Sequence, residues 1–397
     1  MKVLLVNHFP LEGSGSGTYT KNIAHYLSVN GHEVCSIFPE NTIPEEIPGV
    51  FLCPVYFSKD LSIQDALPYN FPCFTTHPRS NTTFADLNEN QLNQYFAAFD
   101  KVISERIHNF RPDIIHVQHI WCLSYIVSKY DVPFVITTHG TDLVGYGKWP
   151  QFRVYAETAV DRCAGIIAIS KDNYQSIQMI FPKAANKTSL MSNGYNNGIF
   201  YIENVDREEL LKEYGIPYKG ERIVLFAGKL TALKGVDILL NSAQEYEKLQ
   251  PGNIITVIAG SGEQEEELKR LKESLKLSSV YFIGHRNQNE LRRLYSNADI
   301  FAMPSRYEAF GLVALEAMAC GLPIAASDVG GLSDFVKGEA GTLVDVSDAG
   351  ALCKAILKEM LNAHDASRRF SIAGYASENY AQVNLMSGLE KIYFSVI

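Results

Sequence analysis

Two glutamates, two lysines and a group of histidines are the residues of this 397-residue chain whose types and spacing point to chemistry. Glu308 and Glu316 stand eight positions apart in residues 305–328, SRYEAFGLVALEAMACGLPIAASD. The apolar run 300–303 reads as a strand that Pro304 ends, and Phe310-Gly311-Leu312 opens a helix rich in Ala, Leu, Met and Glu. Cys320-Gly321, with Pro323 behind it, stops that helix before another apolar strand at 323–326. The first turn of such a helix offers free N–H groups and the positive end of the helix dipole, which suit a phosphate. Glu308 precedes that turn and Glu316 lies more than one turn inside it. The two carboxylates can therefore accept hydrogen bonds from hydroxyls on opposite sides of a phosphate-bearing ligand. A hydroxyl-rich group on each side of phosphates describes a nucleotide sugar. Taken alone, the spacing also fits a solvated loop residue and a helix-surface residue, since glutamate pairs are common on helices.

The other candidates lie nearer the N-terminus. Residues 12–18, EGSGSGT, fall between an apolar strand at 2–6 and an amphipathic helix expected over 19–29, with a further strand at 32–38. Strand, glycine loop, helix, strand is a βαβ unit with an anion site at the loop, which puts Gly15, Ser16 and Gly17 beside a ligand. The dinucleotide fingerprint is incomplete, because its third glycine position holds a threonine, and a flexible turn is the alternative. Glu40 stands near the end of the second strand, the place of a ribose-binding acid. Strands at 113–117 and 132–137 run into His116-Val117-Gln118-His119 and Thr138-His139-Gly140-Thr141-Asp142. Ligands of doubly wound sheets bind beyond the carboxyl ends of strands, where both groups fall. Three histidines and an aspartate are also zinc-ligand types, although the spacing is not that of a helical His-x-x-x-His pair.

The elements that must position these groups follow from the alternation of apolar strands with helices. Strands at 222–227, 254–259, 280–283, 300–303, 323–326 and 341–344 alternate with helices and imply a second parallel sheet. Gly228-Lys229-Leu230 follows the first of them, with Lys234-Gly235-Val236-Asp237 close behind, and Gly260-Ser261-Gly262 follows the second. Two lysines five apart are, without that context, solvated surface charge. Residues 54–88 are rich in Pro, aromatic, Ser, Thr and Asn and show no period, so they read as an insertion over a cleft. Apolar residues between 92 and 110 recur at helical spacing and read as a core-facing stripe.

Taken together these segments resemble family 4 retaining glycosyltransferases, through Glu308-x7-Glu316, EAMACGLP and the following Gly330-Gly331. The resemblance implies an α/β fold of two facing Rossmann-like domains (GT-B type) with the donor site in the interdomain cleft. Residues 1–198 would form the acceptor-side domain and 199–379 the nucleotide-sugar domain, with 380–397 crossing back as a terminal helix. It also implies roles. Glu308 would bind donor-sugar hydroxyls, Glu316 the ribose, and the Phe310-Gly311-Leu312 backbone would lie near the diphosphate. Lys229 and Lys234 would grip the diphosphate, with Lys229 where the family usually has arginine; lysine supplies charge without a bidentate fork. Gly15, Ser16 and Gly17 would approach the donor phosphates and shape the acceptor cleft, and Gly228 and Gly260 would line the nucleotide end. The 138–142 segment is similar to that of bacillithiol-pathway enzymes and implies His139 at the reacting face of the donor sugar, with Asp142 and His119 next. Asn193, in the Asn-Gly segment of 189–200 that resembles the family's interdomain segment, would sit at the hinge and contribute to donor binding.

The expected function is retaining, metal-independent transfer of a sugar from a nucleotide sugar, preferably a UDP-sugar, to a hydroxyl of a small-molecule, glycan or lipid-linked acceptor. An epimerase or hydrolase on the same fold and a non-catalytic nucleotide-sugar-binding protein are the alternatives. No metal or other cofactor is expected; the chain has no Asp-x-Asp, the metal-holding motif of many glycosyltransferases of the other main fold. A formal net charge of −9 and a pI near 5.6 argue against nucleic-acid partners. Seven cysteines without a Cys-x-x-Cys pair fit reduced thiols. With no long apolar run and no secretory leader, the expectation is a cytoplasmic protein with no transmembrane segment, for which peripheral membrane contact remains open.

Overall fold

The computed structural model describes residues 1–59, 63–74 and 77–397. The chain divides into two compact units, 1–192 with 385–397, and 193–384. These divisions differ by a few residues from the 198/199 and 379/380 boundaries expected from sequence. The reason lies in Tyr195, whose amide bonds the Tyr380 carbonyl (3.1 Å) while its own carbonyl accepts from Gln382 (3.0 Å), so both connecting segments stay with the second unit.

The first unit is a seven-stranded sheet in the order β3-β2-β1-β4-β5-β6-β7. Its strands are β1 (Lys2–Val6), β2 (Glu33–Glu40), β3 (Val50–Tyr56), β4 (Ile114–Gln118), β5 (Phe134–Thr138), β6 (Gly165–Ala168) and β7 (Thr188–Leu190). Every pairing is parallel. Both faces are covered, so β1 reads as one continuous apolar run rather than an alternating one. Its pleat still sorts the side chains. Leu4 and Val6 enter one core with Phe99, Ile115 and Trp121, whereas Val3 and Leu5 enter the other with Ile23 and Leu27. Strand order reverses between β1 and β4, which makes their carboxyl ends the switch point of the sheet.

Two local expectations need correction. The first helix spans Gly15–Val29, beginning four residues before the expected 19. Ser14 caps it by accepting the Gly17 amide at 3.0 Å, so Gly15, Ser16 and Gly17 form a helical first turn rather than a loop. The stretch 54–88 is also less irregular than it reads. It starts inside β3 and then makes the isolated bridges Phe57↔Leu67, Cys73↔Thr83 and His77↔Ser80, while Phe57, Phe71, Phe74 and Phe84 are buried in the core. Residues 60–62 and 75–76 of that stretch lie outside the described residues.

The second unit is a six-stranded parallel sheet in the order β10-β9-β8-β11-β12-β13. These strands are β8 (Arg222–Ala227), β9 (Ile254–Ala259), β10 (Val280–Gly284), β11 (Ile300–Met303), β12 (Ile324–Ser327) and β13 (Gly341–Val344). The expected helix after the first glutamate runs Leu312–Ala319.

The terminal helix, Gln382–Phe394, returns to the first unit from Leu385 onward. Met386, Leu389 and Tyr393 are buried there beside Val3, Leu5, Leu27 and Val135. The Tyr393 hydroxyl lies 2.7 Å from His116 Nδ1, and Thr137 Oγ1 lies 2.7 Å from its Nε2. His116 is thereby a packing residue of the terminal helix and is removed from the ligand-facing histidines.

Replacing Tyr393 by alanine is expected to destabilise the protein by about 3–5 kcal/mol, the usual range for deleting a buried aromatic side chain. Chemical denaturation of the full chain measures it, and a loss under ~1 kcal/mol would show that the terminal helix contributes little to the first unit.

Candidate active site

In the second unit the site is built where strand ends meet. The turn after β11 carries Glu308, and the turn after β8 carries Lys229 and, further on, Lys234. Backbone contact too close for any side chain locks these turns together. A Cβ on Gly235 (φ +66°) would stand 2.0 Å from the Pro304 carbonyl oxygen, and one on Gly330 (φ +53°) would stand 1.6 Å from that of Glu308. Only glycine permits either approach. As a result Lys234 Nζ donates to the Glu308 carboxylate, so the expected diphosphate cation and the expected sugar-binding carboxylate share one locus. Lys229 lies between Gly228 and Leu230, and the Leu230 amide bonds the Ser261 carbonyl at 2.9 Å. Gly228 N–H bonds Ala259 and Gly260 N–H bonds Gly284, which stitches the ends of β8, β9 and β10.

A pair that sequence reading missed fixes the Lys234 turn. The Arg306 guanidinium donates to both Asp237 oxygens (2.8 and 2.6 Å) and to the Ala232 carbonyl (2.8 Å), while its backbone amide bonds Leu233 (2.8 Å). The bidentate fork holds the turn carrying Lys234 against the one carrying Glu308. The available signal was positional, an arginine two residues before Glu308 and an aspartate three after Lys234.

Gly311 (φ +100°) starts the Leu312–Ala319 helix with no side chain capping it. Phe310 is buried, its ring 5.3 Å from that of Phe335, so this residue shapes the turn through packing. Glu316 lies one turn further, only 5 % exposed. Among the described residues no group donates a hydrogen bond to its carboxylate, and burial pushes it up to about 8. A buried carboxylate lacking donors is an exception to the usual pairing of buried polar groups, which makes Glu316 a candidate for ligand hydroxyls. Asn193, the first residue of this unit, is also buried, with no partner for its Oδ1 among the described residues.

In the first unit the carboxyl ends of β4 and β5 bring His119, His139 and Asp142 together. Asp142 opens the Thr141–Lys148 helix and accepts from the amides of Ile120 (3.0 Å) and His139 (3.2 Å). Its carboxylate thus ties the two strand ends, although burial pushes its pKa up. His139 Nε2 lies 2.8 Å from Gln118 Oε1, a partner that sequence reading did not single out, and its ring packs edge-on against Tyr19 at 5.4 Å. That contact links it to the helix of Gly15, Ser16 and Gly17. His119 is held at φ +78°, unusual for a non-glycine residue, 3.8 Å from Asp142. Neither of its ring nitrogens has a hydrogen-bond partner among the described residues. Burial first, with His119 adding to it, holds the His139 imidazole well below the usual range; burial alone lowers that of His119 to about 3. Both rings are neutral at pH 7. Among the described residues no cluster of three or more His, Cys, Asp or Glu is placed to hold a metal. Glu40 is not a free ribose ligand. Its carboxylate accepts from Arg79 (2.5 and 3.2 Å) and from the amides of Asn41 and Thr42.

Two Rossmann-like α/β units with parallel sheets make up the GT-B fold. The chain belongs to the glycosyltransferases, of the family 4 kind. Residues 13–197 match the Glycosyltransferase Family 4 model and residues 206–377 the Glycosyl transferases group 1 model. It is 30% identical over 358 residues to an uncharacterised glycosyltransferase of Methanocaldococcus jannaschii, covering 85% of this chain and 83% of the relative. It is 29% identical to the D-inositol 3-phosphate glycosyltransferase of Corynebacterium jeikeium, covering 97% and 93%. Among solved structures, Anabaena HepE in complex with UDP and glucose superposes with a TM-score of 0.73 at 20% identity over 98% of each chain. No helix among the described residues is long and apolar enough to cross a membrane.

The Glu316 geometry sets a pH signature. If ribose hydroxyls donate to the ionised carboxylate, as the family resemblance implies, a nucleotide would draw Glu316 from its protonated to its charged form and release a proton. Affinity should rise from pH 6 toward 8 and level off above, while in the ligand-free protein the same group's contribution to stability falls over that range. Calorimetry with UDP in buffers of different ionisation enthalpy measures this. Glu316→Gln should bind about tenfold or more weakly, the loss of a charged hydrogen bond, and lack the extra proton release. Equal proton release in both proteins would remove Glu316 from the nucleotide site.

Proposed function

We propose that the protein is a retaining, metal-independent glycosyltransferase that moves a sugar from a nucleotide sugar, a UDP-sugar by preference, to an acceptor hydroxyl. The single observation that carries this is the second unit's arrangement: the Lys234–Glu308 pair, the uncapped start of the Leu312–Ala319 helix and the buried, donor-free Glu316 carboxylate. Phosphate oxygens would take over Lys234, freeing Glu308 for sugar hydroxyls, while Glu316 receives the ribose. UDP enters the reading because the HepE structure contains it.

Negative charge grows on the leaving diphosphate as the bond from the sugar's anomeric carbon to the phosphate oxygen breaks. Lys229, Lys234 and the helix start supply pre-positioned positive charge and dipoles there, which act without reorganisation. The new bond to the acceptor oxygen forms on the same face, and the acceptor's proton passes to the departing phosphate oxygen. No protein base is needed for that transfer. His139, neutral, serves the oxocarbenium-like sugar as a polar contact rather than as an acid. Asp142 and Gln118 hold its place.

A thermal-shift screen of UDP-, GDP- and ADP-sugars, followed by donor turnover with and without EDTA, tests the reading. The melting temperature should rise with a UDP-sugar, since a ligand that binds only the folded state stabilises it, and turnover should survive EDTA. Loss of turnover that Mg²⁺ or Mn²⁺ restores would overturn the metal-independent account.

His139→Ala should lower kcat by about 10²-fold or more with UDP affinity nearly unchanged. Because the imidazole is already neutral, wild-type kcat should show no inflection near pH 6.5 from this residue. A folded variant with near-normal turnover would remove His139 from the reaction and leave His119 and Asp142.

A further inference from the structure

All seven cysteines are free thiols, and six of them are buried; Cys53 is the partly exposed one. It lies on β3, the outermost strand of the first sheet, which pairs with β2 alone. Cys53 Sγ stands 3.5 Å from the Sγ of Cys35, a fully buried residue of β2. The register sets Cys35 opposite Phe51 and Cys53 opposite Ile37, so the two cysteines are diagonal neighbours on the face that packs against Phe99 and Ile103. The Glu89–Phe110 helix crosses that face and brings Arg106 to it, the guanidinium 5.4 Å from the centre of the Phe51 ring. Arg106 Nε is buried there and has no hydrogen-bond partner among the described residues. Two packed thiols can serve simply as small apolar groups. A cation with an unused donor beside them, and a path to solvent at Cys53, are not needed for that role.

We propose that Cys53 and Cys35 form a reversible redox site, with Cys53 as the thiol that a peroxide oxidises and Cys35 as the thiol that resolves it into an interstrand disulfide. The proposal is independent of the transfer reaction. The contact sets the two thiols apart in reactivity. The hydrogen bond from Cys35 holds the Cys53 thiol below its usual range, with the Arg106 charge helping it against burial and Glu105. The same hydrogen bond, with burial, pushes the Cys35 thiol up. The thiolate is the nucleophile, so Cys53 reacts first. Its sulfur attacks one peroxide oxygen, an S–O bond forms as the O–O bond breaks, and the departing hydroxide takes a proton to become water. Cys35 then loses its proton and attacks the Cys53 sulfur. The S–S bond forms, the S–O bond breaks, and a second water leaves. Two thiols have been oxidised and one peroxide reduced. Diagonal neighbours on parallel strands stand about 8 Å apart between Cα atoms, beyond the ~7 Å that a disulfide spans without backbone movement. Closing the bond therefore draws β3 along β2, a shift open to a strand paired on one side only. A disulfide formed under that constraint is readily reduced by a dithiol, which makes the change reversible.

Peptide mapping by mass spectrometry tests this on the full chain, first reduced and then exposed to a small molar excess of hydrogen peroxide. The wild type should yield a Cys35–Cys53 linked peptide, leave the other five thiols free, and return to the reduced form with dithiothreitol. Cys35→Ser should stop at a Cys53 sulfenic acid that dimedone traps, and Cys53→Ser should leave Cys35 unoxidised. Because a change at the buried Cys35 can impair folding, Arg106→Met supplies a second test. Alkylation of Cys53 by iodoacetamide in the native protein should outpace that of every other cysteine, and Arg106→Met should slow it about threefold or more. The proposal falls if peroxide leaves Cys35 and Cys53 free, if other cysteines are oxidised before this pair, or if a folded Arg106→Met variant is alkylated at the wild-type rate.

Discussion

Parallel strands covered on both faces admit few polar side chains except at their ends, and the arrangement of chemistry in this chain depends on that constraint. β1 and β4 are buried along their length, as are β5, β8 and β11 apart from a partly exposed Arg222 and Lys2 at their starts. Gln118 and His119 stand at the end of β4, His139 just past β5, Glu40 at the end of β2, and the Glu308 turn after β11. The apolar runs that make the cores therefore also decide where ligands are met. Proximity of residues far apart in sequence, such as Glu40 and Arg79 or Lys234 and Glu308, follows from strand ends lying side by side.

The two units use burial differently. In the first, burial keeps His119 and His139 neutral and raises Asp142, so its polar groups act through orientation and hydrogen bonds. In the second, Lys234 and Arg306 pair with carboxylates, while the Glu316 carboxylate, buried and without donors among the described residues, is pushed toward its neutral form. An anionic diphosphate is suited to the second environment, where cations can exchange a carboxylate for a phosphate. A neutral sugar undergoing a charge-separating step is suited to the first, where neutral dipoles are already fixed.

The strands and the helix after Glu308 were legible because apolar runs bounded by glycine and proline carry an unambiguous signal, and β8, β9, β11 and β13 begin and end where the sequence places them. The glutamate spacing was legible for the same reason, since the helix carrying Glu316 is defined at both ends. What sequence hid was mostly side-chain partnership. His116 looks like a ligand-facing residue beside His119, yet its ring is occupied by Tyr393, 277 positions away. Glu40 looks like a ribose acid until Arg79, in a stretch with no period, claims it. The glycine-rich 12–18 segment reads as a loop because glycine disfavours helix interiors, but at a first turn the Ser14 cap outweighs that preference.

The correction at Glu40 changes how the irregular 54–88 stretch is understood. A segment without period is expected to contribute variable surface, and this one instead contributes buried aromatics to the core and one arginine to a strand end. The aromatic anchors, Phe71 and Phe74 before the His77–Ser80 turn and Phe84 after it, fix the turn so that Arg79 meets a carboxylate that would otherwise be buried without a counter-charge. An unpaired buried carboxylate is strongly unfavourable, so Glu40 and Arg79 stabilise each other's placement. The strand end and the irregular stretch are therefore one structural device.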